Sequence, residues 1–306
     1  MTAWKRARPV IWRYIRKAAA VTWRALVKYD ETDGEQRAAS FAYYAFFALF
    51  PLIILLITIG TTFLGSQELA AQKIIGQVRA YLPGVEETES NNVIRTITVV
   101  LKSRKSAGII ALAILAWSAM RFFQGLVHGV NRAWGTKEYS WWRLPIKNLL
   151  MVAILASALF IGIMAPPLLN YVEYLYWKNS WQFGLDFYFA RSVFGFCRLL
   201  VPPLVLFYGF SMFYKYAPRR RTTFREVWIA SLFVTGGLNL LQWLFVLYTK
   251  NIANFNAVYG TFGSVVAMLL WIYLSGSIII LGGCLSAAQY EINMQLSDQA
   301  ESNRAD

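Results

Sequence analysis

Long apolar stretches alternate with shorter polar and basic segments along this chain. Six stretches are long enough, or nearly so, to cross the ~30 Å hydrocarbon core of a bilayer as helices. They are residues 41–64, 107–127, 148–171, 193–216, 227–248 and 261–288. The pattern predicts an all-α fold, a polytopic membrane helix bundle with six transmembrane helices.

The second stretch carries the most informative polar residues. Its cleanly apolar part, residues 107–120, is 14 residues long and reaches only ~21 Å as a helix. The extension to residue 127 places Arg121 inside the helix, on one face with Gln124 and His128, and Asn131 follows one turn later. This stripe either lines a polar cavity that binds an anionic group or belongs to an interfacial helix whose polar side meets water or lipid headgroups.

Amphipathic helices are predicted on both sides of the first span. Residues 1–40 form a basic cytoplasmic segment in which Trp12, Ile15, Ala19, Trp23 and Leu26 recur at helical spacing. That helix lies either on an anionic membrane surface or against the protein's own cytoplasmic face. Residues 41–290 form the transmembrane domain, including an outer helical segment at 65–106. Residues 291–306 form a polar tail.

Composition excludes the soluble and disordered classes. Hydrophobic residues make up 57% of the 306 residues and charged residues 15%, against roughly 45–50% and about 25% in soluble domains. The formal charge of +14 fits a positive-inside bias and contact with anionic lipids better than nucleic acid binding, because the basic residues cluster beside apolar spans. Cys197 and Cys284 lie inside apolar runs and are expected to be small buried hydrophobes.

The distribution of Lys and Arg predicts the orientation. The N-terminal segment and the connections after the second and fourth spans are rich in basic residues, which places both termini in the cytoplasm. The outer segment 65–106 is also basic and opposes this assignment, but its length and the larger N-terminal block favour the orientation given. We therefore expect a multi-pass membrane protein in this orientation.

Catalytic chemistry is poorly supported by the residue types present. His128 is the single histidine, and a catalytic zinc site usually needs two or three histidines or several cysteines. No G-x-S-x-G elbow and no phosphate-binding G-x-x-x-x-G-K-[ST] loop occurs. We expect no enzyme activity, no metal and no cofactor.

Two further polar pairs lie in or beside the spans. Glu173, at the end of the third span, and Arg198, in the fourth, should meet near the outer face, either as a structural ion pair or as a ligand-responsive one. Asn239 and Gln242 share a face of the fifth span and favour interhelical hydrogen bonding, with ligand binding as the other possibility.

Three groups of motifs, in order, resemble the YihY/BrkB family of bacterial inner-membrane proteins, long labelled ribonuclease BN. They are ASFAYY (39–44) with ALFPL (48–52), WSAMR (117–121) with NRAW (131–134), and YGTFG (259–263) with LWIYL (270–274) and LGG (281–283). The resemblance covers roughly residues 25–292. It implies six transmembrane helices and motif positions at Arg121, Asn131, Arg132, Tyr259 and Gly260. The family usually has an acidic residue where this chain has Cys284, so a role for that carboxylate does not carry over.

These observations favour a protein that transports or flips an anionic, lipid-like component of the cell envelope. The candidate ligand-binding residues are Arg121, Gln124, His128, Asn131, Arg132, Arg198, Glu173, Asn239 and Gln242. The candidate motif or gating residues are Tyr43, Pro51, Tyr259 and Gly260, since prolines interrupt helices and broken helices form binding sites in transporters. The alternative is a non-transporting scaffold or assembly factor. Expected partners are anionic membrane lipids and a second copy of the chain, and no nucleic acid.

Overall fold

A computed structural model describes residues 2–48, 104–136, 144–178, 187–251 and 262–305 of the chain. Every regular element in these ranges is an α-helix. The helices are α1 (Thr2–Glu31), α2 (34–48), α3 (Arg104–Ala133), α4 (Leu144–Lys178), α5 (Phe187–Tyr216), α6 (Phe224–Asn251) and α7 (Phe262–Ala305). The predicted all-α class is confirmed for this part of the chain.

Three of the described helices contain segments long and apolar enough to cross a membrane. They are Arg191–Tyr216, Phe224–Tyr248 and Val265–Gln299, and they overlap the fourth, fifth and sixth predicted spans. The second and third predicted spans lie within α3 and α4. Most of the first span and of the outer segment 65–106 falls outside the described residues, so the count of six stays a prediction.

The helix boundaries have local causes. Asp33, between α1 and α2, adopts a left-handed backbone conformation with φ 54°, which breaks the helical path after residue 31. Gly135 does the same after α3, with φ 62°. There the Thr136 amide donates to the Asn131 carbonyl and the Gly135 amide to that of Arg132, the two bonds of a Schellman cap.

The contacts divide the chain into two compact units. The first comprises residues 1–32, 127–239 and 281–306, and the second comprises residues 33–126 and 240–280. In the first unit, α4 and α5 pack along each other, with Ala158 against Gly209 and Val205 against Gly162. In the second, the ring of Phe41 lies on Gly276. The segment 291–305, predicted as a polar tail, continues α7 as helix.

Candidate functional site

The most elaborate polar arrangement in the described chain lies where helix ends of the first unit meet. We call it the helix-end cluster. It combines α1, the end of α3, the connection between α5 and α6, and the later turns of α7. Its members are Lys28, Asn131, Trp134, Arg220, Tyr290 and Glu291.

Asn131 joins the end of α3 to the connection between α5 and α6. Its side-chain amide nitrogen donates to the carbonyl of Val127 at 2.8 Å and to that of Ala217 at 3.2 Å. Its side-chain oxygen accepts from the Arg219 amide at 2.7 Å and from the Thr136 hydroxyl at 2.8 Å. The residue is buried, and these four bonds use its full hydrogen-bonding capacity. In this arrangement Asn131 is a structural clasp, and ligand binding by it stays a prediction.

Arg220 fixes the same connection from its other side. Its guanidinium carbon lies 3.8 Å from the centre of the Tyr290 ring and 4.8 Å from that of Trp134, within the range of cation–π attraction. A guanidinium nitrogen also donates to Glu226 at 3.0 Å. The Glu226 carboxylate accepts a second bond from the Thr223 amide at 2.9 Å, at the start of α6. One arginine therefore joins the end of α3, the start of α6 and the later turns of α7.

Lys28 and Arg24 attach α1 to α7 through one carboxylate. The Lys28 ammonium donates to the Ala133 carbonyl at 2.8 Å and pairs with Glu291 at 2.6 Å. Arg24 pairs with the same Glu291 carboxylate and with Glu31, both at 3.1 Å. Hydrogen bonding to Glu291 raises the pKa of the Arg24 guanidinium above its ordinary value. Lys28 is buried, and a buried ammonium needs such partners.

Cys284 lies seven residues, or about two helical turns, before Glu291 on α7. It is buried, and its sulfur is 3.8 Å from the Thr32 hydroxyl. Both cysteines of the chain are free thiols, and Cys197 is half-buried. Cys284 is therefore packed in the interior, at the position where the YihY/BrkB family usually has an acidic residue.

Arg121 and Gln124 lie in the second unit, on α3. The Arg121 guanidinium is exposed, 3.5 Å from the Gln124 side-chain oxygen and 6.0 Å from the Trp117 ring. The Tyr44 ring packs edge-on against the same Trp117 ring, with 5.8 Å between the ring centres. The ring centres of Tyr43 and Tyr44 are 5.4 Å apart. Among the residues that the structure describes, no acidic side chain forms an ion pair with Arg121. Arg121 and Gln124 share one face of α3, as their spacing predicts.

Arg198 and Glu173 meet as the sequence predicts. An Arg198 nitrogen lies 2.5 Å from the Glu173 carboxylate and 2.9 Å from the Asn170 side-chain oxygen. The Glu173 carboxylate also accepts a long bond, 3.5 Å, from the Trp177 indole. The pair therefore ties α4 to α5, as expected of a structural ion pair.

We expect Glu173→Gln to lower the melting temperature in detergent more than Glu173→Gln combined with Arg198→Gln. The single change leaves Arg198, in the fourth predicted span, without its counter-charge, and an unpaired charge at membrane depth costs more than removing both charges. A double-mutant cycle on the melting temperatures measures the coupling. Strictly additive losses would show that the two side chains do not stabilise each other.

The remaining predicted residues are dispersed. His128, in the first unit, is half-buried on α3, and Arg132 is exposed at its end. Asn239 donates to the Thr235 carbonyl of its own helix at 2.7 Å, and Gln242 is exposed. Pro51, Tyr259 and Gly260 lie outside the described residues. Within the described ranges, no group of three or more His, Cys, Asp or Glu side chains is placed to hold a metal ion.

Sequence reasoning missed most of the helix-end cluster. Lys28 was visible only as one of many basic residues, and Glu291 only as the start of a polar tail. One signal was available: Lys28 and Arg24 are four residues apart on α1, a spacing that presents two cations to one acid. The acid itself lies more than 250 positions away along the chain, at Glu291, so no local pattern connects it to them.

Comparison with known proteins gives a family-level match. The family model described as virulence factor BrkB matches residues 25–306. A ribonuclease-like protein of Bacillus subtilis, YfkH, is 27% identical over 266 residues, which cover 85% of this chain and 91% of that protein. No solved structure matches the chain.

Other relatives are membrane proteins by name. A UPF0761 membrane protein of Glaesserella parasuis is 24% identical, over 62% of this chain and 64% of that protein. One from Delftia acidovorans is also 24% identical, over 66% of this chain but only 46% of that longer protein. The match to these two relatives therefore covers less than two thirds of their length.

Proposed function

This chain belongs to the BrkB family of membrane proteins, and from that premise we propose that it transports or flips an anionic, lipid-like component of the cell envelope. The observation that carries the proposal is the exposed guanidinium of Arg121 in the interior of α3. Arg121 lies 17 residues after the start of α3, or ~25 Å along a helix. The residues immediately before it are apolar.

A cation at this position requires a partner. Charged side chains at membrane depth are costly and mark ligand paths or ion pairs. The described neighbours of Arg121 are the neutral Gln124 amide and the Trp117 ring, which polarise or shield the charge without neutralising it. An anionic headgroup supplies the missing charge, and a guanidinium binds two of its oxygens at once.

The aromatic side chains beside Arg121 suit the amphiphilic part of such a ligand. Trp117, Tyr44, Tyr43 and Phe47 form a continuous series of ring contacts in the second unit. Tyr43 and Trp117 are each about half exposed. Tryptophan and tyrosine combine an apolar body with a polar tip, so they favour the boundary between a headgroup and its acyl chains.

We place the protein in the bacterial inner membrane with both termini in the cytoplasm, and we assign it no catalytic activity. The positive-inside distribution supports the orientation. The single histidine of the chain, His128, supports the non-enzymatic role, because hydrolytic metal sites and histidine-based acid–base pairs need more. The ribonuclease-like name belongs to the Bacillus subtilis relative.

A scaffold without transport is the second candidate. It is favoured by the helix-end cluster. There Asn131 and Lys28 donate hydrogen bonds to backbone carbonyls, and Arg220 lies over the Tyr290 ring. An arrangement of that kind holds helices together and needs no ligand.

Substitution of Arg121 separates the two candidates. We expect Arg121→Ala to reduce the transfer of a fluorescent phosphatidylglycerol analogue between the leaflets of proteoliposomes severalfold. Arg121→Lys should reduce it less, because lysine keeps the charge and loses the two-pronged geometry. Native mass spectrometry of bound phosphatidylglycerol provides the parallel binding measurement.

The matched control is Arg225→Ala, which removes an exposed arginine from the first turn of α6. It should leave transfer and binding unchanged. If Arg121→Ala transfers and binds the lipid as the parent does, the headgroup site is elsewhere. If the parent itself transfers no lipid above protein-free vesicles, the scaffold candidate is favoured.

A further inference from the structure

The N-terminal helix α1 presents its apolar stripe away from the protein. Trp23 is 70% exposed and Trp12 61%, and Ile15 and Leu26 are exposed with them. The face that packs on the first unit is instead polar and small, with Lys28 and Ala25 buried. In a water-soluble protein the apolar stripe of a surface helix faces the core, so α1 is inverted relative to that rule.

The inversion is fixed by specific contacts. Lys28 reaches the Ala133 carbonyl and Glu291, and Arg24 reaches Glu291 and Glu31. These bonds lie on the side of α1 opposite to Trp23 and Leu26, because residues one or two positions apart on a helix point in different directions. Rotating the apolar stripe inward would bury the tryptophans and strip the buried ammonium of its partners.

The charge along α1 indicates what covers the exposed stripe. The helix carries eight basic residues and two acidic ones, Asp30 and Glu31, which stand in its last turn. Six of the basic residues precede residue 18, where the helix has no acidic residue. Among the described side chains, Arg24 and Lys28 form the pairs with Glu291 and Glu31. The first half of the helix is strongly cationic by its sequence.

We propose that α1 lies in the interface of an anionic membrane, with Trp12, Ile15, Trp23 and Leu26 inserted among the lipids. Tryptophan is enriched at the level of lipid headgroups. A basic helix with a tryptophan-rich apolar face inserts ~5–10 Å into the boundary between headgroups and acyl chains. The surface is distinct from Arg121 on α3, and it positions the protein rather than selecting a transported molecule.

Site-directed spin labelling of the full chain tests this orientation. Cys197 is replaced by alanine, and the buried Cys284 stays in place. A nitroxide is attached at Trp23→Cys or Ile15→Cys on the stripe, and at Ala20→Cys as the control, because Ala20 is exposed and lies ~100° around α1 from the centre of the stripe. Accessibility to oxygen, which concentrates in lipid, is compared with accessibility to a water-soluble nickel chelate.

In vesicles containing phosphatidylglycerol, we expect both stripe positions to favour oxygen, at a depth of ~5–10 Å, and Ala20 to favour nickel. In vesicles of phosphatidylcholine alone, the stripe positions should lie nearer to water, because the electrostatic attraction is gone.

Equal nickel accessibility at Trp23, Ile15 and Ala20 would overturn the proposal. Spin–spin broadening at Trp23 that disappears on dilution with unlabelled protein would also overturn it, in favour of contact with a second copy. Equal depth in both lipids would contradict the role of the basic residues.

Discussion

Replacing Asn131 with leucine is expected to lower the stability of the folded protein by more than ~3 kcal/mol. Leucine has the same number and branching of side-chain heavy atoms as asparagine and none of its hydrogen-bonding groups. The Ala217 carbonyl and the Arg219 amide would each lose the Asn131 partner that they have now. A buried polar group left without a partner costs ~1–3 kcal/mol, and both groups belong to the connection between α5 and α6. The measurement is chemical or thermal unfolding in detergent.

Asn239→Leu is the matched control. Asn239 also lies in a predicted span, but among the described residues its side chain donates to the Thr235 carbonyl of its own helix, at 2.7 Å. The Thr235 carbonyl keeps its place in α6 when the Asn239 side-chain amide is removed. Asn239→Leu should therefore be nearly neutral for stability. Equal losses for Asn131→Leu and Asn239→Leu would mean that Asn131 does not clasp the connection between α5 and α6.

The hydrophobic pattern was sufficient for the fold class of the described residues and for three candidate membrane spans. A helix that crosses a bilayer must be continuously apolar over its length, so residues 193–216, 227–248 and 261–288 could be located from sequence alone. The contact between Glu173 and Arg198 was also predictable, because a short connection brings the end of one span beside the start of the next.

The orientation of α1 was not predictable in the same way. The spacing of Trp12, Trp23 and Leu26 correctly identified an apolar face. In a membrane protein, however, an apolar face is stable against either lipid or protein, so hydrophobicity does not distinguish outside from inside. The orientation of α1 is set by Lys28, whose ammonium binds Glu291 and the Ala133 carbonyl. Pairs between residues so far apart in the sequence leave no periodic pattern in it.

The largest effect in the transmembrane part should come from Gly282. A side-chain carbon added there would collide with Val234 of α6 and with Tyr214 of α5. Tyr214 is fully buried and Val234 is buried, so neither has open space into which to move. Overpacking of this kind typically costs ~1–3 kcal/mol and more where the neighbours are rigid. We expect Gly282→Ala to lower the melting temperature clearly and Gly282→Val to abolish folding.

Gly236→Ala provides the control within the same unit. Gly236 lies in the interior of α6, and a carbon added there meets no atom within 4 Å. Alanine is the better helix former by ~1 kcal/mol, so Gly236→Ala should hold or raise the melting temperature. If Gly282→Ala behaved like Gly236→Ala, the close approach of α5, α6 and α7 at Gly282 would be contradicted. The two substitutions alter helix propensity equally and differ only in what the added carbon meets. A lower melting temperature for Gly282→Ala and an equal or higher one for Gly236→Ala would therefore show that the LGG motif at 281–283 serves helix packing.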